Sequence, residues 1–418
     1  MVDIRPFKGY SYTPSNISDL SSVIAPPYDV ISERERADLA SRSPVNFIHM
    51  TLPANYDPAR SNPDFYKEAA SQWNSWKKNN TVAQTDMPAI WSLRETYENN
   101  DGQPVTRFGF LAELSLDDES DRFVLRHEKT HKAPQIDRVR LYEATRANLS
   151  PLFFIYQDDP IETEHFLEQF STAELRTAEL DHHGKVSLEF SLTDDNAWIE
   201  QFCQSFSNKY VLIADGHHRY EASRILHREN NNDNINSSAV MAYLVPASSP
   251  GLMVQATHRA VHGLTNFNET TLLQAFEGRF AVNSSQNDSH QMNVVTPDKG
   301  RFTVTPTEKI LENLRKKCNP TALAHLPVVI LEELILKEIL GLSHSQMSPK
   351  GNLKYFQDAD LAVKSVSSGE WNAAFLLDPL SLDDLFSVTK AGGILPQKST
   401  YFYPKVATGL VVRSMDHP

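Results

Sequence analysis

Cysteine is nearly missing: the 418-residue chain has two, Cys203 and Cys318, in unrelated contexts. That excludes a disulfide framework and any cysteine-based structural zinc site. Long apolar runs are missing as well. The opening residues Met1 to Pro6 carry no apolar signal core. No segment approaches the roughly 18 uninterrupted apolar residues of a membrane span, and even Leu326–Leu342 is broken by Glu332, Glu333, Lys337 and Glu338. Positive charge is in deficit, with 40 Lys and Arg against 53 Asp and Glu, a net −13. A nucleic acid, bound largely through neutralised phosphates, is a poor partner for such a chain, although a local basic pocket remains open to it. P-loop, G-x-G-x-x-G fingerprint, kinase signature set, internal repeat and low-complexity tract are all absent. These absences predict a soluble cytoplasmic protein that binds a small molecule rather than nucleic acid or membrane, with a homodimer left open.

The length exceeds one ordinary core, so two domains are expected. The polar stretch within Asn266–Gln291 suggests a boundary, giving an N-terminal α/β domain at 1–265 and a C-terminal α+β domain at 266–418. Helical spacing of Phe65, Ala69, Trp73 and Trp76 predicts a helix over Pro63–Lys78 with its tryptophans in the core. Ser32 and Glu35 form a capping-box pattern that starts another helix, running to about Ala40. Strands are predicted at Ala89–Thr96, Thr106–Leu114, Arg122–Leu125, Leu149–Tyr156, Val186–Leu192, Tyr210–Ala214 and Ala239–Val245. Helices are expected at Thr307–Lys317, at Leu326–Leu340 with its stop at Gly341, and at Leu380–Ala391. Helices and strands alternate, so the class is mixed α/β with a parallel or mixed sheet.

The densest chemistry follows the apolar run Tyr210 to Ala214, at Asp215-Gly216-His217-His218-Arg219. A strand, a glycine corner and a helix N-terminus make an anion site, because first-turn N–H groups and the helix dipole both favour negative charge. Arg219 has a fork that fits phosphate or carboxylate, and Asp215 is a candidate metal ligand or base. The bland alternative is a turn whose Asp caps the helix. His127-Glu128-Lys129-Thr130-His131 matches the H-E-x-x-H zinc pattern, but a strand runs into it and Pro134 follows, so no sustained helix is expected. The region reads instead as a loop presenting His127, Glu128, Lys132, Asp137 and Arg138 to a cleft. Asp29 follows the stiff Pro26-Pro27-Tyr28 brace, which suits either ligand contact or a capping role. Lys398, Ser399 and the aromatic run Tyr401–Tyr403 suit a phosphate and a base, or simply a core. Thr257-His258-Arg259 is a further cationic corner.

Six ordered motifs resemble one widespread bacterial and archaeal family known only as a domain of unknown function. They are Ile4–Gly9, Ala25–Ile31, His127–Thr130 with Asp137-Arg138, Asn148–Pro151, Ala214–Glu221 and Pro396–Lys405. The D-G-H-H-R corner is similar to the phosphate-binding signature of the ParB/sulfiredoxin superfamily, which includes CTP-binding partition proteins, sulfiredoxin and free-serine kinases. The resemblance implies a mixed-sheet ParB/sulfiredoxin-like core. It also implies phosphoryl transfer between a nucleotide, ATP or ADP, and a serine/phosphoserine pair. On that reading Gly216, His217, His218, Arg219, Arg138 and Ser399 hold phosphate or nucleotide, and Asp215 ligates Mg²⁺. Glu128 or Asp29 takes the acceptor proton, while Lys132 and Lys398 neutralise developing charge. A non-catalytic nucleotide- or metabolite-binding regulator and a metal-dependent hydrolase remain as alternatives.

Overall fold

The computed structural model describes residues 1–57, 62–171, 173–229, 235–265, 267–282, 291–347 and 351–416. Two compact units emerge: 1–125, 130–252 and 404–418 in the first, 126–129 and 253–403 in the second. This division differs from a cut at 265/266. Residues 258–261 pair with strands of the second unit, and 412–414 pair with strands of the first. The polar stretch Ser284–Ser289, used to place the sequence boundary, lies outside the described residues.

Period-two apolar patterning builds the sheet of the first unit. Its strands are β1 (Ile4–Arg5), β2 (Ile90–Glu98), β3 (Pro104–Ser115), β4 (Val124–Leu125), β5 (Leu152–Tyr156), β6 (Arg176–Asp181), β7 (Lys185–Thr193), β8 (Val211–Asp215) and β9 (Ala239–Pro246). They run in the order β4-β8-β5-β9-β3-β2-β7-β6, with β1 on β3. The β4–β8 and β5–β9 pairs are parallel and the others antiparallel, so the sheet is mixed. Alternate residues Phe110, Ala112, Leu114, Phe154, Val240, Ala242, Leu244 and Ile213 fall on one face and bury Phe166, Trp198, Phe202 and Phe206. Trp198 and Phe202, one helical turn apart, stack at 5.0 Å and 7°. The opposite face carries a cross-strand charge pair: Arg107 Nε donates to Glu95 Oε2 at 2.6 Å, both side chains fully buried. Tyr243 donates its hydroxyl to the same oxygen at 2.9 Å, and the guanidinium lies 4.7 Å over the Phe153 ring.

The longer helices of the first unit are α1 (Glu33–Arg42), α2 (Pro63–Lys78), α3 (Lys132–Thr145), α4 (Pro160–Glu168), α5 (Asn196–Ser205) and α6 (His217–Glu229). The Ser32/Glu35 capping box forms as expected. Trp73 and Trp76 of α2 are buried in the core. Helix α3 overturns the loop reading of 132–138. Pro134 lies in its first turn, where an N–H would have no intrahelical acceptor, so the proline starts the helix instead of breaking it. It packs against both α2 and α6. Strand β6 is a further element that the sequence did not show. A small sheet pairs Gly9–Tyr12 with Val82–Gln84 and Val412–Ser414, and the latter also pairs with Ala147–Asn148.

The second unit has a six-stranded antiparallel sheet in the order Phe280–Val282, Gly300–Pro306, Met292–Thr296, Ala373–Leu376, His258–Val261, Leu353–Phe356. A separate ribbon pairs Met253–Gln255 with Tyr401–Tyr403. The helix expected at Leu326–Leu340 is α-helical over Pro327–Ile330 and widens to a π-helix over Leu331–Ile339, ending at Gly341 with φ +66°. No helix among the described residues is long and apolar enough to cross a membrane.

Candidate functional site

Strand β8 breaks its register with β5 between Ile213 and Asp215, an irregularity of the kind that re-aims a side chain. Gly216 then turns with φ +97°, a conformation costly for any residue with a Cβ; a Cβ there would also meet Leu152 Cδ2 at 2.8 Å. Helix α6 begins directly, its first bond running from the Tyr220 N–H to the Gly216 carbonyl at 2.9 Å. The corner is therefore the strand–glycine–helix unit expected from the sequence.

Arg219 does not hold its fork outward. Nη1 donates to Ser150 Oγ and to the Pro151 carbonyl, each at 2.8 Å, and Nη2 donates to Asp215 Oδ2 at 2.7 Å. The side chain is 4 % exposed. Burial alone would lower its pKa, but Asp215 and then Asp29 more than offset that, and the guanidinium is held above its ordinary value. Lys405 Nζ takes the other oxygen of Asp215. Magnesium at Asp215 is disfavoured by this arrangement: each carboxylate oxygen already has a cationic partner, and a divalent ion there would sit against the charges of both Lys405 and Arg219. The pair is better read as the brace of the corner. Lys405 closes the Pro396–Lys405 motif and Ser150 sits in Asn148–Pro151, yet neither was singled out as a site residue. Only the fold shows that these motifs meet.

His218 lies one residue into α6, and its Nδ1 accepts the His131 backbone N–H at 3.3 Å. The two rings stack at 5.9 Å and 23°. His131 is the N-cap residue of α3, so the starts of two helices meet at one point. With Nδ1 an acceptor, a neutral His218 carries its proton on Nε2. Lys132 is the exposed first residue of α3, while His217 is buried.

Asp29 sits in a 3₁₀ turn, Tyr28–Val30, after Pro27 at φ −60° and ψ 145°. It does not cap α1; Ser32 does. The carboxylate is exposed and close enough to Arg219 to influence its charge. Tyr28 below it is buried, with the Arg138 guanidinium 4.1 Å from its ring centroid. Arg138, expected at phosphate, is instead buried: Nε donates to Asp137 Oδ2 at 2.8 Å and Nη1 to the Thr51 carbonyl at 3.2 Å. Asp137 in turn accepts from the hydroxyls of Tyr56 at 2.9 Å and Tyr66 at 2.7 Å. This knot fixes Tyr28, and through it the turn that presents Asp29.

Glu128, Lys398 and Ser399 belong to the second unit. The backbone N–H of Lys398, at φ +56°, donates to Glu128 Oε1 at 3.2 Å. His127 Nε2 lies 2.9 Å from Thr400 Oγ1, and the Leu395 N–H donates to the His127 carbonyl at 2.8 Å. Ser399 donates its hydroxyl to the Pro396 carbonyl. Arg259 supports the same turn, donating to the carbonyls of Gln397 at 3.3 Å and Lys398 at 3.2 Å and to that of Thr257 at 2.7 Å. Burial pulls Arg259 down to about 10. Residues 126–131 are not helical, so the two-histidine helix face that H-E-x-x-H zinc chemistry needs is not formed.

A family model matches residues 4–329. The chain belongs to the family described as protein of unknown function (DUF1015). No curated protein matches it. Among solved structures it is similar to a free serine kinase in complex with AMP, at 12 % identity and TM-score 0.37, over 74 % of this chain and 91 % of that one. SbnI from Staphylococcus aureus, with a C-terminal truncation, is similar at 10 % identity and TM-score 0.37, over 74 % and 87 %. A conserved hypothetical protein from Pyrococcus furiosus follows at 12 % and TM-score 0.32, over 70 % and 90 %. At these scores the likeness carries no functional weight.

Proposed function

We propose that this DUF1015 protein transfers a phosphoryl group between a nucleotide and a small metabolite. Serine and phosphoserine are the metabolite pair that the motif resemblance points to. One observation carries the reading: the N-termini of α3 and α6 meet at the Asp215–Arg219 corner, with the His131 N–H on His218. First-turn N–H groups and the positive ends of two helix dipoles favour a phosphate there. Arg219 and Lys405 hold the corner's backbone and its partly buried Asp215 in place, and His218 offers an Nε2–H toward transferring oxygens. Asp29, exposed on a rigid turn in the same unit, takes the proton of the acceptor hydroxyl. Glu128 is pinned by the Lys398 N–H in the second unit and serves that turn. Catalysis is then positioning with electrostatic stabilisation of the transferring group.

The internal engagement of both Asp215 oxygens favours one other reading, a regulator that binds nucleotide without turning it over. Isothermal titration with ADP and ATP, beside ³¹P NMR of ATP with L-serine and of ADP with phosphoserine, separates the two. Asp29→Asn should bind nucleotide as wild type does and lose about 10²-fold or more in turnover, the usual size of a lost general base. Nucleotide bound without turnover in either direction leaves the regulator, and no nucleotide binding at millimolar concentration overturns both.

A further inference from the structure

Outside the corner, in the same unit, three side chains of metal-ligating type cluster. The hairpin joining β6 to β7 carries His182 and His183 side by side, and Glu35 of α1 reaches them. The potential ligand atoms of the three residues all lie within 4.8 Å of one another. His182 Nδ1 is 3.4 Å from Glu35 Oε1, too long for a good hydrogen bond and close to the roughly 3.3 Å between two ligands of a tetrahedral ion with 2.0–2.1 Å bonds. The Nε2 of His182 is buried without a hydrogen-bond partner.

The backbone pays to bring the two rings together. His183 is held at φ +56° and Gly184 at φ +134°, and the left-handed conformation is unfavourable for a non-glycine residue. It lets adjacent residues, which would point to opposite faces of a strand, turn both rings the same way at 4.2 Å between centroids. Glu35 is fixed from its other side: Oε2 accepts the Ser32 N–H at 2.8 Å and the Ser32 hydroxyl at 2.6 Å, leaving Oε1 directed at His182.

We propose that Glu35, His182 and His183 form a zinc-class divalent metal site, with water completing the coordination. Two imidazoles and one carboxylate suit Zn²⁺ and neighbouring transition metals, not the all-oxygen preference of Mg²⁺ or Ca²⁺. The ion ties α1 to the β6–β7 hairpin. Because α1 starts at Glu33, four residues after Asp29, the ion fastens the segment that presents Asp29, which gives the site a structural role.

The test is titration of metal-free protein with Zn²⁺ against a chromophoric chelator, for wild type, His183→Asn and Glu35→Gln. Asn tolerates the left-handed conformation and Gln preserves the capping box, so both variants keep the local fold. Wild type should take up one equivalent of Zn²⁺ with a rise in Tm. Both variants should bind at least tenfold more weakly and lose the rise. Anomalous diffraction at the zinc edge should place the ion among the three side chains. Zinc bound elsewhere, or equally well by both variants, overturns the proposal, as does wild type that binds no zinc at micromolar concentration.

Discussion

Replacing Arg219 by alanine removes three hydrogen bonds at once, to Ser150, Pro151 and Asp215, from a side chain 4 % exposed. Asp215 keeps Lys405, but it loses the partner that orients it across the first turn of α6, and the Pro151 carbonyl loses this donor. Removing one member of a buried, hydrogen-bonded pair costs about 3–5 kcal/mol. In a unit of this size each kcal/mol shifts Tm by roughly 2–4 °C, so a drop of about 6–20 °C is expected. Arg219→Lys should recover part of this, because a single ammonium can reach Asp215 or Ser150 but lacks the planar fork that spans both. The assay is differential scanning calorimetry on wild type and both variants, with nucleotide titration at a temperature where all three are folded. If Arg219→Ala melts within a degree or two of wild type yet loses nucleotide, Arg219 is a ligand fork after all and the bracing role is wrong. If it melts far lower and the folded fraction still binds nucleotide, the brace is confirmed.

Glu95→Ala should destabilise by about 3–5 kcal/mol in urea unfolding, because it strands the fully buried Arg107 on the central strands; Glu95→Gln, which keeps an acceptor, should cost less. An unchanged midpoint for Glu95→Ala would show that the guanidinium finds another partner or is solvated. In the second unit burial, and next the neighbouring Arg259, lower the pKa of His258, whose Nδ1 accepts the Leu377 N–H at 3.2 Å. The unfolded state therefore binds the proton first, so stability should fall as pH drops below the unfolded value of about 6.5. His258→Asn should flatten that slope in unfolding measured from pH 7.5 to 5, and an identical slope in the variant would rule His258 out as its source.

The parts legible in the sequence are those governed by local rules. The Ser32/Glu35 box, the α2 periodicity and the strand–glycine–helix corner each depend on residues within a turn or two of one another. Helix α3 was hidden because Pro134 reads as a breaker unless the helix start is known. Strand β6 was hidden because its outward residues Glu179 and Asp181 are charged, as an edge strand's often are. Among the expected site residues, two arginines were given outward roles that the fold does not allow. Arg138 and Arg219 carry the chemistry of phosphate ligands. Their partners Thr51, Ser150, Pro151, Tyr28 and Tyr56 come from elsewhere in the chain, and no spacing rule connects them.

The closing segment of the chain belongs to the first unit, and this governs how the protein can be made. Thr408 bridges to Ala25, Val412 and Arg413 pair with Tyr10 and Gly9, Arg413 neutralises Glu113, and Lys405 neutralises Asp215. During synthesis those five early partners emerge long before their complements, separated by nearly the whole second unit. That unit can fold as a near-contiguous insert while the first waits with an unzipped edge, Glu113 lacking Arg413 and Asp215 held by Arg219 alone. The Asp215–Arg219 corner is thus completed only after Lys405 has left the ribosome, and a nascent chain stalled before it carries the whole 215–219 stretch without that partner.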